Sequence, residues 1–232
     1  MRDAPSIECH PAALLFDLDG TLADSFDGIC EALNAALRER ALPEHDVGWV
    51  KRHVGRGAVV LVREAVAPQG DVELMRAVGA RFGVHYRAIY LDRTPPMAGA
   101  LDVVMLCAQR TGGRVAVVSN KYEDLCRAWL EHYGFGPFVA MVVGPDTFGV
   151  RKPDAGALRP VLARLGVAPE QALYVGDMEV DVEAGCAAGV RVLGVNADSA
   201  MRELLTGAGA TAVLSDLREL PGWLAANGRG WQ

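Results

Sequence analysis

The sequence predicts an α/β fold: a doubly wound, Rossmann-like parallel sheet with a small helical insert after its first strand. Three observations predict it. Short apolar runs ending in small or polar residues alternate with stretches of helical periodicity, as strands joined by crossover helices do. The runs are apolar throughout, which suits strands buried on both faces. One long stretch, from about Phe26 to Leu91, breaks the alternation with helical patterning alone.

The first run, Ala12–Phe16, ends at Asp17. The insert then reads as helices over 26–40, 46–53, 57–67 and 72–91. Asp46 and Asp71 stand at N-cap positions, and Pro43, Pro68, Pro95 and Pro96 punctuate the segments. Residues 98–110 place Ala100, Leu101, Val104, Met105 and Ala108 on one helical face. The next strand, Arg114–Val118, ends at Ser119-Asn120. Helix 122–133 follows, with Leu125, Cys126, Trp129, Leu130 and Tyr133 on one face. A strand over Val139–Val143 ends at Gly144-Pro145-Asp146. Residues 155–165 form a helix that Gly166 stops. Strands Leu173–Val175 and Val190–Val195 end at Gly176-Asp177 and Asn196, and Thr211–Leu214 is a weaker sixth candidate. The tail after Trp223 is expected to fray. The domain division expected is residues 1–24 with 96–232 as a Rossmann-like core and 25–95 as the helical insert.

Composition narrows the function classes. The formal net charge is −6, a poor match to nucleic acid or an anionic membrane, both of which need basic surface. Only three of the 23 basic residues are lysines: Lys51, Lys121 and Lys152. No apolar stretch approaches the ~20 residues of a membrane span, and no signal-type segment precedes Ala12–Phe16. Cys9, Cys30, Cys107, Cys126 and Cys186 are odd in number and include no CxxC pair. They read as reduced thiols in small core positions of a cytoplasmic protein, not as a disulfide framework or zinc site. A monomer and a homodimer both remain open.

In a doubly wound sheet, ligands gather beyond the carboxyl ends of the strands. Four features fall there. Asp17-Leu18-Asp19-Gly20-Thr21-Leu22 sets two carboxylates one residue apart at the end of the first strand, with Gly20 permitting a sharp turn. One carboxylate can act as a nucleophile and the other as a proton donor to a leaving oxygen. Asp177 and Asp181 share a face if a helix starts near Met178, and oxygen ligands without His or Cys suit Mg²⁺. Ser119-Asn120 offers a hydroxyl and backbone N–H groups at a helix start, which suit a phosphate oxygen. Lys152, just before Pro153, can reach both a phosphate and a carboxylate. Each feature alone has a plainer reading: an acidic turn, an acid-decorated helix start, a simple N-cap, a solvated lysine. Their shared placement after strands favours a single site.

Together DLDGTL at 17–22, VVSN at 117–120, RKPD at 151–154 and GDMEVD at 176–181 resemble the four ordered motifs of the haloacid dehalogenase-like hydrolases. The resemblance runs from about Leu14 to Leu220, and the insert takes the place of that family's small cap domain. Within the family the chain is most similar to phosphoglycolate phosphatases, through LADS after the first motif, VGRGA at 54–58, SNK at 119–121 and VEAGCAAG at 182–189. The resemblance implies a phosphomonoesterase acting on a small phosphorylated metabolite. Asp17 would form an aspartyl-phosphate. Asp19 would protonate the leaving alcohol and then deprotonate water. Ser119 and Lys152 would hold the phosphoryl group, with Thr21 and Asn120 beside it. Mg²⁺ would be bound by Asp17, the Asp19 backbone carbonyl and Asp177, with Asp181 as a further ligand or orienter.

Departures from family members sharpen this. A halide leaving group needs no proton, so Asp19 counts against dehalogenase activity. Ile29 stands where mutases of the family carry a His, and Ala58 where phosphonate-cleaving members carry a Lys. Ala155 replaces a common proline of the third motif. In the insert, Arg56 of the Gly55-Arg56-Gly57 turn is expected to read the substrate's leaving group, since Arg suits a carboxylate. It could equally be a surface residue. The competing functions are phosphotransfer or mutase chemistry on the same scaffold and non-catalytic binding of a phosphometabolite.

Overall fold

The computed structural model describes residues 10–67 and 70–227. The elements in chain order are β1 (Ala13–Phe16), α1 (Phe26–Arg38), α2 (Val47–His53), α3 (Ala58–Val66), α4 (Val72–Ile89), α5 (Ala100–Arg110), β2 (Val115–Val118), α6 (Glu123–His132), β3 (Met141–Val143), α7 (Pro145–Phe148), α8 (Arg159–Leu165), β4 (Ala172–Gly176), α9 (Glu179–Ala188), β5 (Arg191–Val195), α10 (Ser199–Ala208), β6 (Ala212–Leu214) and α11 (Leu220–Asn227). The strands form one sheet in the order β3-β2-β1-β4-β5-β6, and every pairing among them is parallel. The expected doubly wound α/β fold is thus present, and α1–α4 form an inserted cap between β1 and β2.

Two compact units result, residues 1–22 with 96–232 and residues 23–95. The chain leaves the sheet unit at Leu22 and returns beside it, where the Met97 amide donates to the Leu22 carbonyl at 2.8 Å.

The sheet unit is built on strands buried along their whole length, so their sequences are apolar without alternation. Ala13, Leu15, Ala116, Val118 and Tyr174 share one face with buried residues of α8, α9 and α10. α5 packs on β2. Trp129 of α6 is fully buried, with the ring of Phe135 at 5.0 Å.

In the inserted unit, Asp46 and Asp71 accept the backbone N–H groups of Trp49 and Leu74, at 2.6 and 2.8 Å, and start α2 and α4 as expected. Phe26, Ile29, Cys30, Leu33 and Leu37 bury one stripe of α1, which packs against α4.

Three details differ from the sequence reading. Residues 155–165 are a 3₁₀ turn (Ala155–Ala157) followed by α8, not one helix. Pro160 has no N–H to give the carbonyl four residues earlier, so the helix restarts around it. The chain stays helical past Trp223 to Asn227 because Leu224 is fully buried; residues 228–232 lie outside the described set. Cys30, Cys107 and Cys126 are buried, but Cys186 is exposed on α9; Cys9 is outside the described residues. Among the described residues, no helix is long and apolar enough to cross a membrane.

Candidate active site

The strand order reverses direction at β1 and β4, and the polar residues following β1, β2 and β4 converge at their carboxyl ends. Asp17 continues β1 by one residue, its amide donating to the Val175 carbonyl at 2.9 Å. Ser119 likewise continues β2, donating to the Val143 carbonyl at 2.9 Å. Asp177 follows β4. Asp181 lies on the first turn of α9, where its Oδ2 accepts the Met178 amide at 3.0 Å. The acid that the sequence places one turn into a helix is therefore also that helix's start signal.

Lys152 ties the centre together. Its side chain is 1% exposed. Nζ lies 2.8 Å from Asp17 Oδ1 and 2.6 Å from Asp181 Oδ1, and donates to Tyr174 Oη at 2.9 Å. The Tyr174 hydroxyl stands 2.9 Å from the Val118 carbonyl and 3.0 Å from Asp181 Oδ1, both acceptors for its single proton. The Asn120 side chain fixes the Lys152 backbone reciprocally. Its Nδ2 donates to the Lys152 carbonyl at 3.0 Å, and its Oδ1 accepts the Lys152 amide at 2.9 Å. Thr21 Oγ1 donates to Asp177 Oδ1 at 3.0 Å.

Carboxylate oxygens of Asp17, Asp177 and Asp181 all lie within 4.8 Å of one another, and all three residues are buried. Burial pushes the Asp17 carboxyl up to about 6; the Lys152 ammonium opposes that and the Asp181 charge adds to it. Burial, with the Asp181 charge adding to it, holds Asp177 well above the usual carboxylate range. Burial works against the charge on Lys152, yet Asp17 and Asp181 together push its ammonium upward. Three carboxylates and one ammonium leave two negative charges uncompensated among buried side chains. Asp17 Oδ1, moreover, is buried without a well-directed hydrogen bond. An oxygen-only donor set with that charge deficit fits one hard divalent cation.

The other expected residues are placed as follows. Ser119 is buried, and its Oγ accepts the Lys121 amide at 3.3 Å. Asp19 does not join the carboxylate trio through its side chain; its Oδ1 pairs with Lys121 Nζ at 2.6 Å. Arg56 lies in the inserted unit, exposed in the turn between α2 and α3. Ile29 is buried in α1.

Gly20 is required where it stands. Its φ is +88°, and a Cβ there would lie 2.2 Å from Asp177 Oδ2. Gly20→Ala is expected to destabilise the protein by about 1–3 kcal/mol, measured by urea unfolding. An unchanged midpoint would contradict the close approach.

Two further residues belong to the site. Tyr174 reads in sequence only as part of a buried strand, although a phenol inside an apolar strand needs a polar partner. Lys121 directly follows Ser119-Asn120, and nothing near it in sequence names Asp19 as its partner.

The model of the haloacid dehalogenase-like hydrolase family matches residues 14–195. A phosphoglycolate phosphatase of Rhodospirillum rubrum is 42% identical over 221 residues, covering 92% of this chain and 91% of the relative. One of Pseudomonas putida is 34% identical over 215 residues, covering 90% of this chain and 78% of the relative. The solved structure of a haloacid dehalogenase-like hydrolase from Streptococcus pneumoniae superposes with a TM-score of 0.79 at 18% identity, over 91% of this chain and 97% of that one.

Proposed function

The chain belongs to the haloacid dehalogenase-like hydrolase family, and on that premise we propose that it is a cytoplasmic, Mg²⁺-dependent phosphatase whose first substrate candidate is 2-phosphoglycolate. The observation that carries the reading is the buried trio of Asp17, Asp177 and Asp181 around Lys152 at the carboxyl ends of β1 and β4. The substrate candidate rests on the names of the relatives.

Phosphoryl transfer asks mainly for alignment and for charge neutralisation on three equatorial oxygens. Asp17 is the nucleophile. It stands at a strand end, with its backbone held in the sheet, so its attack trajectory is fixed before substrate arrives. Its carboxylate displaces the alcohol and forms an aspartyl-phosphate, which water then hydrolyses. Asp19 gives a proton to the leaving oxygen in the first step and takes one from water in the second. Lys152 neutralises phosphoryl oxygens, and Asp181 and Tyr174 hold its ammonium in place. The Ser119 hydroxyl, with Thr21 and Asn120, completes the cradle. Asp17, Asp177 and the Asp19 backbone carbonyl would hold Mg²⁺, and Asp181, both of whose oxygens are engaged, would act on Lys152 more than on the metal. When bound, such an ion would supply the positive charge that lets an anionic carboxylate meet an anionic ester. Arg56, on the exposed turn of the inserted unit, is proposed to meet the leaving group.

A phosphate-release screen over a library of phosphorylated metabolites tests this. Release is expected for a small carboxylate-bearing monoester. A chelator is expected to lower it by roughly 100-fold or more, and Mg²⁺ to restore it. Turnover indifferent to the chelator, or the appearance of an isomeric phosphate ester instead of inorganic phosphate, would remove the reading.

A further inference from the structure

We propose that Lys121 selects substrates whose leaving group carries a carboxylate close to the ester oxygen, by bridging that carboxylate to Asp19. The inference rests on the reading of Asp19 as the group at the leaving oxygen.

The geometry sets Lys121 apart from the other buried ammonium. Lys152 serves the carboxylate trio, whereas Lys121 Nζ lies 2.6 Å from Asp19 Oδ1. Its side chain is 6% exposed, in a chain with only three lysines. The backbone behind it is held tightly. Asn120, the preceding residue, is locked to Lys152. The Asp146 carboxylate accepts the Glu123 amide at 3.0 Å. Gly144 packs so closely that a Cβ there would lie 2.7 Å from the Lys121 carbonyl and 2.5 Å from the Glu123 amide nitrogen. The ammonium is therefore delivered to one place, beside Asp19.

Charge then dictates what that place can accept. Once Asp19 has given its proton to the leaving oxygen, a carboxylate on the carbon next to that oxygen would stand against the carboxylate of Asp19, and the two would repel. An ammonium has three donors and can serve both at once. A neutral leaving group makes no use of it. Lys121 is thus a specificity-determining cation on the sheet unit, separate from the groups that hold the phosphoryl.

The test compares kcat/KM for 2-phosphoglycolate and for ethyl phosphate, in Mg²⁺, for the wild type, Lys121→Met and Lys121→Arg. The wild type is expected to favour phosphoglycolate. In Lys121→Met that preference is expected to fall by about 10- to 100-fold, chiefly through KM, the worth of one charge-assisted hydrogen bond. Lys121→Arg is expected to keep most of it. Lys121→Gln, which keeps a hydrogen bond to Asp19 without the charge, gives the same readout should the Met variant fail to fold. A parallel fall on both esters would mean a purely structural pair and overturn the assignment. So would a wild type that hydrolyses both esters without preference, although the phosphatase reading would survive. Release from no ester in the metabolite screen would overturn the phosphatase reading and this inference with it.

Discussion

Asp17→Asn is expected to fold and to lose phosphate release by roughly 10⁴-fold or more, because the amide keeps the shape of the carboxylate but cannot form the aspartyl-phosphate. The same variant is informative about stability. In metal-free buffer, burial raises the Asp17 carboxyl from its ordinary 3.8 to about 6, with the pull of Lys152 opposing and the charge of Asp181 adding. The folded state then binds this proton more tightly than the unfolded chain does. Its contribution to stability is present below pH 3.8 and is lost as pH rises through about 6. The loss amounts to about 3 kcal/mol at 1.36 kcal/mol per pH unit. Asn carries no such proton, so the variant lacks this part of the decline, while Lys152 keeps Asp181 as its partner at 2.6 Å. Melting curves at pH 7.5 with chelator should therefore place Asp17→Asn at or above the wild type. A lower melting temperature would show that the Asp17–Lys152 pair outweighs the burial of charge. Turnover near the wild-type rate would remove Asp17 from the chemistry.

Much of this site was legible because its physics is local. A carboxylate at the end of an apolar run is a statement about a buried strand meeting a polar edge, and Asp17 and Asp177 both announce themselves that way. Asp46, Asp71 and Gly166 were readable for the same reason: a cap concerns only the three or four residues beside it, following an N-cap and preceding a C-cap. What remained hidden depends on register between distant segments. Lys121 meets Asp19 across 102 residues, and no pattern near either one contains the other. Tyr174 finds the Val118 carbonyl only because β1 pairs with both β2 and β4 in parallel. Lys152 is legible as a site residue that can reach a carboxylate, but its burial is not. A lysine before a proline in a loop, taken alone, reads as solvated, yet this one is buried, since Asp17 at the end of β1 and Asp181 on the first turn of α9 meet it. The split at Pro160 and the burial of Leu224 differ in kind: apolar periodicity runs through a proline that cannot donate, and whether a lone leucine near the chain end is buried depends on a core that its neighbours in sequence do not show.

Lys152→Met is the substitution expected to cost most on both counts. Methionine preserves length and removes only the charge and donors. Asp17, Asp177 and Asp181 would then stand together, buried, without the ammonium that pairs with Asp17 and Asp181, and Tyr174 would lose the donor to its oxygen. Removing one partner from a buried ion pair costs about 3–5 kcal/mol. That is a large part of the 5–15 kcal/mol by which a domain is typically stable. For a chain of this size it corresponds to a melting temperature lower by roughly 6–20 °C at pH 7.5 without metal. The direction with pH follows from the sign of the charge. With the ammonium gone, burial and mutual repulsion raise the folded-state carboxyls of Asp17 and Asp177 further above their unfolded values, so the variant regains stability as pH falls. A divalent cation should recover part of the stability, since it supplies charge to the same trio. Phosphate release should stay at least roughly 100-fold down even so, because the ion cannot replace a donor aimed at the transferring oxygens. Recovery of both by metal would mean that Lys152 matters only as a counter-charge. A variant that melts with the wild type in chelator would mean that the trio is not held by charge at all.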